Sequence, residues 1–370
     1  MIARSTVRSR NTLVALLSLT MLAAAACGSG NSTPSPAGSP GSQAASIVPP
    51  ATGTPVSSSP LSSSPLSSVL PTAGPTVTPT PVSATPVAST SGIVVAWGRD
   101  DEGQTNVPAG LAGVVAVAAG DTFSVALKSD GTVVAWGASD SGQTKVPASA
   151  TGITAIAAGS SHAIALKANG TVIGWGANTY GQAQSAAGLS GVVQISAGGD
   201  HDLALKSDGT VVAWGSDANG ETEVPAGLKN VVQVSAGYDY SLALLKDGTV
   251  VGWGDKYPTD TSIHVAKVPA GLSGVSAVDA GYFHNLVLKS DGTVLAWGQN
   301  ADGQTTVPAG LANVRSVAAG GSFSLVLKTD GTVAAWGRLG DGTTAIPSGV
   351  MNVIGIAVGG DHALAIVGQP

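Results

Sequence analysis

The chain has 370 residues, of which 51 are glycine and 21 proline, while charged residues make up only 10 %. That excludes a mainly helical protein, because helix interiors tolerate glycine poorly and helix surfaces usually carry charge. A net charge of −6 disfavours a nucleic-acid-binding surface, and a single cysteine excludes both an intrachain disulfide and a cysteine-rich zinc site.

Arg4, Arg8 and Arg10 precede an apolar run from Leu13 to Ala26 that is broken only by Ser18 and Thr20. The run is short for a bilayer span and reads as the apolar region of a signal peptide over residues 1–26. Ala24, Ala25 and Ala26 lead into Cys27, which resembles the lipobox of bacterial lipoproteins. The resemblance implies a lipid on the Cys27 thiol, a place in the bacterial cell envelope outside the cytoplasm, and no other tie to the membrane. Residues 27–92 follow, and from residue 28 on they hold 13 of the 21 prolines and no charged or aromatic side chain. Such a segment buries too little apolar surface to offset its ordering entropy, so it is expected to be a disordered stalk.

All seven tryptophans lie in residues 93–370, and each is followed by glycine: Trp97, Trp136, Trp175, Trp214, Trp253, Trp297 and Trp336. They are spaced 39 residues apart, except for one step of 44 after Trp253. Self-similarity at this period signals a propeller or a solenoid. Within a repeat, Val114 to Gly120 reads as a small-residue strand. Phe123 to Lys128 reads as an alternating strand, Ser129-Asp130-Gly131 as a hairpin turn, and Thr132 to Gly137 as a β-branched strand. A short edge segment ending Val146-Pro147 makes a fourth strand. The expected fold is all-β, with four antiparallel strands per blade. The domain opens in mid-blade at Ile93 to Gly98 and ends with the complementary half, His362 to Val367. Pairing these ends closes a seven-bladed propeller and removes exposed edges.

Ala-Ala-Gly-x-x-His, Leu-x-x-Asp-Gly-Thr-Val and Ala-Trp-Gly resemble the repeats of the regulator of chromosome condensation family. The resemblance spans residues 93 to 370 and implies a seven-bladed propeller. The compact 39-residue version with Gly-Gln-Thr-x-Val-Pro is similar to secreted propeller-type β-lactamase inhibitory proteins. Two activities follow as implications, inhibition of a β-lactamase and guanine-nucleotide exchange.

The position three after each Ala-Gly holds Phe123, His162, His201, Tyr240, His284, Phe323 and His362. Phe and Tyr cannot replace imidazole in a metal ring, so this is expected to be a packing and hydrogen-bonding position between blades. The tryptophans are expected to form inter-blade core. No nucleophile elbow, phosphate loop or zinc motif occurs, and neither a catalytic residue, a metal nor a cofactor is expected.

The Asp-Gly turns and Pro-Ala-Gly-Leu links repeat monotonously at one end of the blades. The loops after Ala-Gly and after Trp-Gly vary at the other, as in Arg99 to Glu102, Ala138 to Ser141 and Ala177 to Tyr180. Variation is what a recognition surface permits. The variable loops carry thirteen acids against Arg99, Lys256 and Arg338. This predicts a monomeric protein-binding module that takes a partner with a basic surface and no nucleic acid. The contact residues expected are Tyr238, Asp239, Tyr257, His264, Tyr282, Phe283, Asp255, Asp217 and Asp302, because exposed aromatics beside acids match hot-spot composition.

Overall fold

The computed structural model describes residues 91–184, 188–256, 264–338 and 344–369. Cys27, the stalk, Tyr257 and most of the insertion after Trp253 lie outside these residues. Among the described residues the regular structure is entirely strand.

β1 (Gly92–Gly98) opens the fold. Six triplets follow: β2 (Val114–Ala119), β3 (Phe123–Lys128) and β4 (Val133–Gly137); β5 (Ile153–Ala158), β6 (His162–Lys167) and β7 (Val172–Gly176); β8 (Val192–Ala197), β9 (His201–Lys206) and β10 (Val211–Gly215); β11 (Val231–Ala236), β12 (Tyr240–Leu245) and β13 (Val250–Gly254); β14 (Val275–Ala280), β15 (His284–Lys289) and β16 (Val294–Gly298); β17 (Val314–Ala319), β18 (Phe323–Lys328) and β19 (Val333–Gly337). β20 (Val353–Val358) and β21 (His362–Gly368) end it.

Each triplet is an antiparallel meander with an inner, a middle and an outer strand. Five triplets form separate sheets. The sixth belongs to a six-stranded sheet of order β20-β21-β1-β2-β3-β4, in which Gly92 bridges to Val114. β1 completes the C-terminal unit by pairing with β21 from Gly92↔Gly368 to Gly98↔His362. The expected closure of one blade by both chain ends is therefore present, with two of its strands from the C-terminus. Inner strands touch in sequence from β2 through β5, β8, β11, β14 and β17 to β20, and β20 touches β2. Backbone hydrogen bonds follow the same circuit, for example Asp121 N–H to Ser160 O and Gly360 N–H to Gly120 O, both 3.2 Å.

The hairpin turns have a local cause. Gly131 adopts φ +78°, and Asp130 Oδ1 accepts the Thr132 N–H at 3.0 Å and its hydroxyl at 2.6 Å. Asp208, Asp247 and Asp330 do the same.

The expected fourth strand is not formed among the described residues. The segment around Gln143 to Pro147 consists of turns and irregular chain. Gln143 folds back to accept the Ser141 N–H at 2.9 Å, and Pro147 has no N–H for a ladder. The segment is instead pinned by tryptophan. The indole N–H groups of Trp136, Trp175, Trp214, Trp253, Trp297 and Trp336 donate to the carbonyls of Gln104, Gln143, Gln182, Glu221, Val265 and Gln304 at 2.8–3.1 Å.

Hydrophobic clusters lie between units. Phe123, Val125 and Leu127 pack with Ala163, Ala165 and Trp175 of the next unit, and Leu203 and Leu205 with Ala243 and Trp253. Trp97 packs across the last boundary with Phe323 and Leu325. The tryptophans therefore sit in inter-unit core, each contributing about 2–3 kcal/mol by burial.

Candidate functional site

The loops after inner strands and the loops after outer strands meet at one end of the units. Ala138 N–H donates to Thr122 O and Ser216 N–H to Asp200 O, both at 2.9 Å. The Asp-Gly turns meet the links at the opposite end, where Ser129 N–H reaches Gly113 O at 2.8 Å.

At the variable end the inner strands finish together around a small axial mouth of about 70 Å³. It is lined by Ala-Gly steps from Ala119-Gly120 round to Val358-Gly359 and by Tyr238 and Tyr282. The volume is far below the roughly 300–1,000 Å³ of a drug-sized ligand pocket. Tyr238, Tyr282 and Phe283 form one cluster. The ring centroids of Tyr238 and Tyr282 are 5.1 Å apart, those of Tyr238 and Phe283 5.9 Å, and those of Tyr282 and Phe283 6.3 Å with the planes at 89°. Phe283 is 40 % exposed, unusual for phenylalanine. The Tyr282 hydroxyl crosses the mouth to within 3.1 Å of where a Cβ on Gly360 would stand.

Carboxylates surround these rings. Burial pushes Asp121 up to about 6 against the Ser160 hydroxyl, which holds it down, and Asp361 and Asp200 add to the rise. Burial also pushes Asp239 up to about 6, reinforced by Glu221, Asp200 and Asp255. The Tyr238 phenol is raised by burial and by Asp121, Asp239 and Asp200. Asp121 Oδ1 is screened from solvent, as is the neighbouring Ser160 Oγ. The cations of this end are already engaged: Arg99 with Asp101 and Asp361, Lys256 with Glu223, and Arg338 with Asp302.

Of the residues singled out in the sequence, Tyr238, Asp239, Tyr282 and Phe283 are brought together. Asp255 borders them, since its N–H donates to Asp239 O at 3.1 Å, and its electrostatic neighbours include the exposed His264. Asp217 and Asp302 stand apart. Asp217 Oδ1 accepts the Thr222 N–H of its own loop at 3.1 Å, and Asp302 faces Arg338 at 3.5 Å. Asp100 and Asn300 close the same loop turn by accepting the Thr105 and Thr305 N–H groups at 2.9 Å. Asp121, Asp200 and Asp361 were visible as loop acids but not as neighbours of the aromatic cluster. The available signal was alignment of the repeats, which places Asp121 at the position of Tyr238 and Tyr282, and Asp200, Asp239 and Asp361 at that of Phe283.

The His/Phe/Tyr position is internal. His162 Nε2 lies 3.0 Å from Asp202 of the next unit, His201 2.9 Å from Ser241, His284 2.9 Å from Ser324 and His362 2.9 Å from Ser124. Tyr240 donates to Asn285 at 2.8 Å, while Phe123 and Phe323 pack with Ala163 and Ala363. Each boundary thus matches a ring to a complementary side chain of the next unit round the circuit. Burial pushes His201 down to about 3, and His284 and His362 down to about 4. At His162 burial also acts downward, but the Asp202 carboxylate outweighs it and raises the imidazole. Among the described residues no group of three or more His, Cys, Asp or Glu is placed to hold a metal.

The model of the regulator of chromosome condensation (RCC1) repeat matches residues 114–143, 153–182, 192–221, 231–256, 275–304 and 314–342. The chain belongs to this repeat family. Its fold is similar to that of Prp20p from Saccharomyces cerevisiae, described with its binding to Gsp1p and histones, at 18 % identity and a TM-score of 0.65. That match covers 78 % of this chain and 94 % of Prp20p. Human WBSCR16 is similar at 20 % identity and a TM-score of 0.59, over 74 % of this chain and 98 % of that one. The ectodomain of the Arabidopsis thaliana receptor kinase ACR4 follows at 22 % and 0.55, over 69 % and 94 %. At these identities the likeness is one of fold. No curated protein sequence matches the chain.

Proposed function

We propose that this propeller is a non-enzymatic protein-binding module whose acidic variable end takes a basic partner, carried outside the cytoplasm on a lipid at Cys27. The observation that carries the reading is the assembly of Tyr238, Tyr282 and Phe283 into one cluster bordered by Asp121, Asp200 and Asp239. Half-exposed aromatics at the centre of a face, ringed by charge, have the composition of an interaction hot spot. The fold supports a binding role, since Prp20p is described with its binding to other proteins.

The test is capture from envelope extracts of the cells that make the protein, using the full chain at low and high salt. Binding should weaken with salt, because screening acts over about 8–10 Å. Tyr238→Ala and Phe283→Ala should each cost on the order of 1–3 kcal/mol, and Lys128→Ala and Lys328→Ala almost nothing. Equal losses at both ends would overturn the choice of face. A purified β-lactamase, titrated in the same way, tests the inhibitor-like alternative. Cys27→Ser should release the protein from the membrane fraction, and retention would overturn the anchor.

A further inference from the structure

The axial mouth differs in chemistry from the rest of the variable end. Two tyrosine rings line it, a half-exposed phenylalanine joins them, and the nearby carboxylates Asp121, Asp200 and Asp239 are not engaged by Arg99, Lys256 or Arg338 in an ion pair. Asp200 accepts from the neutral Gln182 amide at 2.7 Å. Asp121 is partly buried beside the Ser160 hydroxyl. A site of about 70 Å³ holds one side-chain head and not a folded ligand.

The main chain leading to each ring is clamped from the preceding unit. Ser196 Oγ accepts the Ala236 N–H at 2.9 Å, two residues before Tyr238. Ser235 Oγ accepts the Ala280 N–H at 2.9 Å, two residues before Tyr282. Asp279 Oδ2 accepts the Ala319 N–H at 2.7 Å, two residues before Gly321. Gln194 and Gln233 bond the next inner strand at Val234 and Val278. The equivalent positions in β2 and β5 are alanine (Ala116 and Ala118, Ala155 and Ala157). Polar clamps on buried backbone rigidify an element when every member is satisfied. Here they fix the rings before any partner arrives, which lowers the ordering cost of binding.

We infer that the mouth lined by Tyr238 and Tyr282, with Phe283 against their rings and Asp121, Asp200 and Asp239 nearby, receives a single arginine side chain projected by the basic partner. A guanidinium is planar and weakly hydrated, stacks on aromatic faces and offers several donors to carboxylates. It offers several donors to the carboxylates and neutralises them as it enters. A lysine ammonium meets the charge but neither stacks nor forks. The inference rests on the proposed binding face and deepens it.

The probes are an arginine-bearing glycine-serine peptide and counterparts with citrulline or lysine in its place, titrated against the full chain. Binding is followed by the ring resonances of Tyr238, Tyr282 and Phe283. The arginine peptide should shift these resonances and bind about tenfold or more tighter than the uncharged citrulline peptide, as a partly desolvated cation–π contact with carboxylate support requires. Tyr282→Ala and Asp121→Asn should each weaken it about tenfold, whereas Tyr282→Phe, which keeps the ring, should stay within about twofold. Asp140→Asn, an exposed loop acid outside the mouth, should change it less than about twofold. Equal binding of the citrulline peptide, or indifference to Tyr282→Ala, would overturn the mouth. Equal binding of the lysine peptide would overturn the guanidinium. The face reading fails separately, when capture of the protein partner is indifferent to Tyr238, Phe283 and salt.

Discussion

Replacing His284 and Ser324, singly and together, tests how the ring keeps its boundaries distinct. Both side chains are fully buried, and Nε2 lies 2.9 Å from Oγ. Ser324 donates its one proton to the Gln304 carbonyl at 2.7 Å, so His284 is the donor and carries its proton on Nε2. Ser324→Ala strands that imidazole N–H, at a cost of about 1–3 kcal/mol. His284→Phe leaves the serine its bond to Gln304 and should cost about 1 kcal/mol. The double variant rebuilds the Phe–Ala pairing of the 123/163 and 323/363 boundaries, so its cost should fall below the sum by about 1–2 kcal/mol. Acid supplies a second readout. Burial pushes His284 from 6.5 down to about 4. The unfolded chain takes this proton below pH 6.5 and the folded protein only below about 4, so stability is lost as pH falls through that window. The loss reaches about 3 kcal/mol, and variants lacking His284 should escape it. Urea titrations of the four proteins across this pH range give both quantities. Additivity within about 0.5 kcal/mol together with an unchanged acid slope would refute the pairing.

Three further outcomes are expected. Deleting Gly92–Gly98 removes the partner of β21 and exposes its edge, so cooperative unfolding should be lost, and a cooperative melt at the parental temperature would count against the split closure. Gly320→Ala places a Cβ 2.6 Å from the Phe323 ring and 2.9 Å from Gly359 O, so it should cost about 1–3 kcal/mol in urea unfolding, well above Gly355→Ala, whose nearest neighbour is the flexible Ile366 tip at 3.1 Å. Affinity for a cationic peptide should fall as pH drops through about 6, where Asp121 and Asp239 take up protons. These two carboxyls are raised, so their charged forms oppose folding above that pH while favouring the cation; the groups acting on them are Asp200, Asp361, Glu221 and Asp255, and an isothermal titration showing no proton release on binding near pH 6 would contradict the assignment.

Much of the fold was legible because each repeat restates it. The Asp-Gly turn, the Trp-Gly strand end and the split last unit are local patterns that recur with little change. The fourth strand is not legible, because Val146-Pro147 has the composition of an edge strand while the fate of the Gln143 side chain is not encoded in composition. Tyr238, Tyr282 and Phe283 were legible as departures from small residues at one repeat position. Asp217 and Asp302 were not separable from Asp239 by residue type, since all are loop acids, and only geometry shows that Asp217 binds its own loop and Asp302 an arginine. The convergence of Asp121, Asp200 and Asp361 needs the closed ring, which brings residues of the first, third and last units to one axis. The boundary pairs are half legible: the ring types recur at one repeat position, but their partners lie one position further along in the next repeat.

The backbone also decides which repeats can furnish the aromatic side of the mouth. At Gly199 a Cβ would stand 2.5 Å from the Tyr238 carbonyl, and at Gly321 the same distance from the Gly360 carbonyl. Close approach by the next loop therefore demands glycine at those two positions. At Gly360 the nearest obstacle is not backbone but the Tyr282 hydroxyl, at 3.1 Å. Tyr282 thus occupies space that a side chain at 360 would otherwise fill, and the clamps at Ser196 and Ser235 hold the strands that deliver the two tyrosines. Small residues around most of the circuit are what let two adjacent loops lay their rings over the axis. The asymmetry that gives one sector of the ring its aromatic cluster is built from the same glycine-rich repeat that makes the other sectors a scaffold.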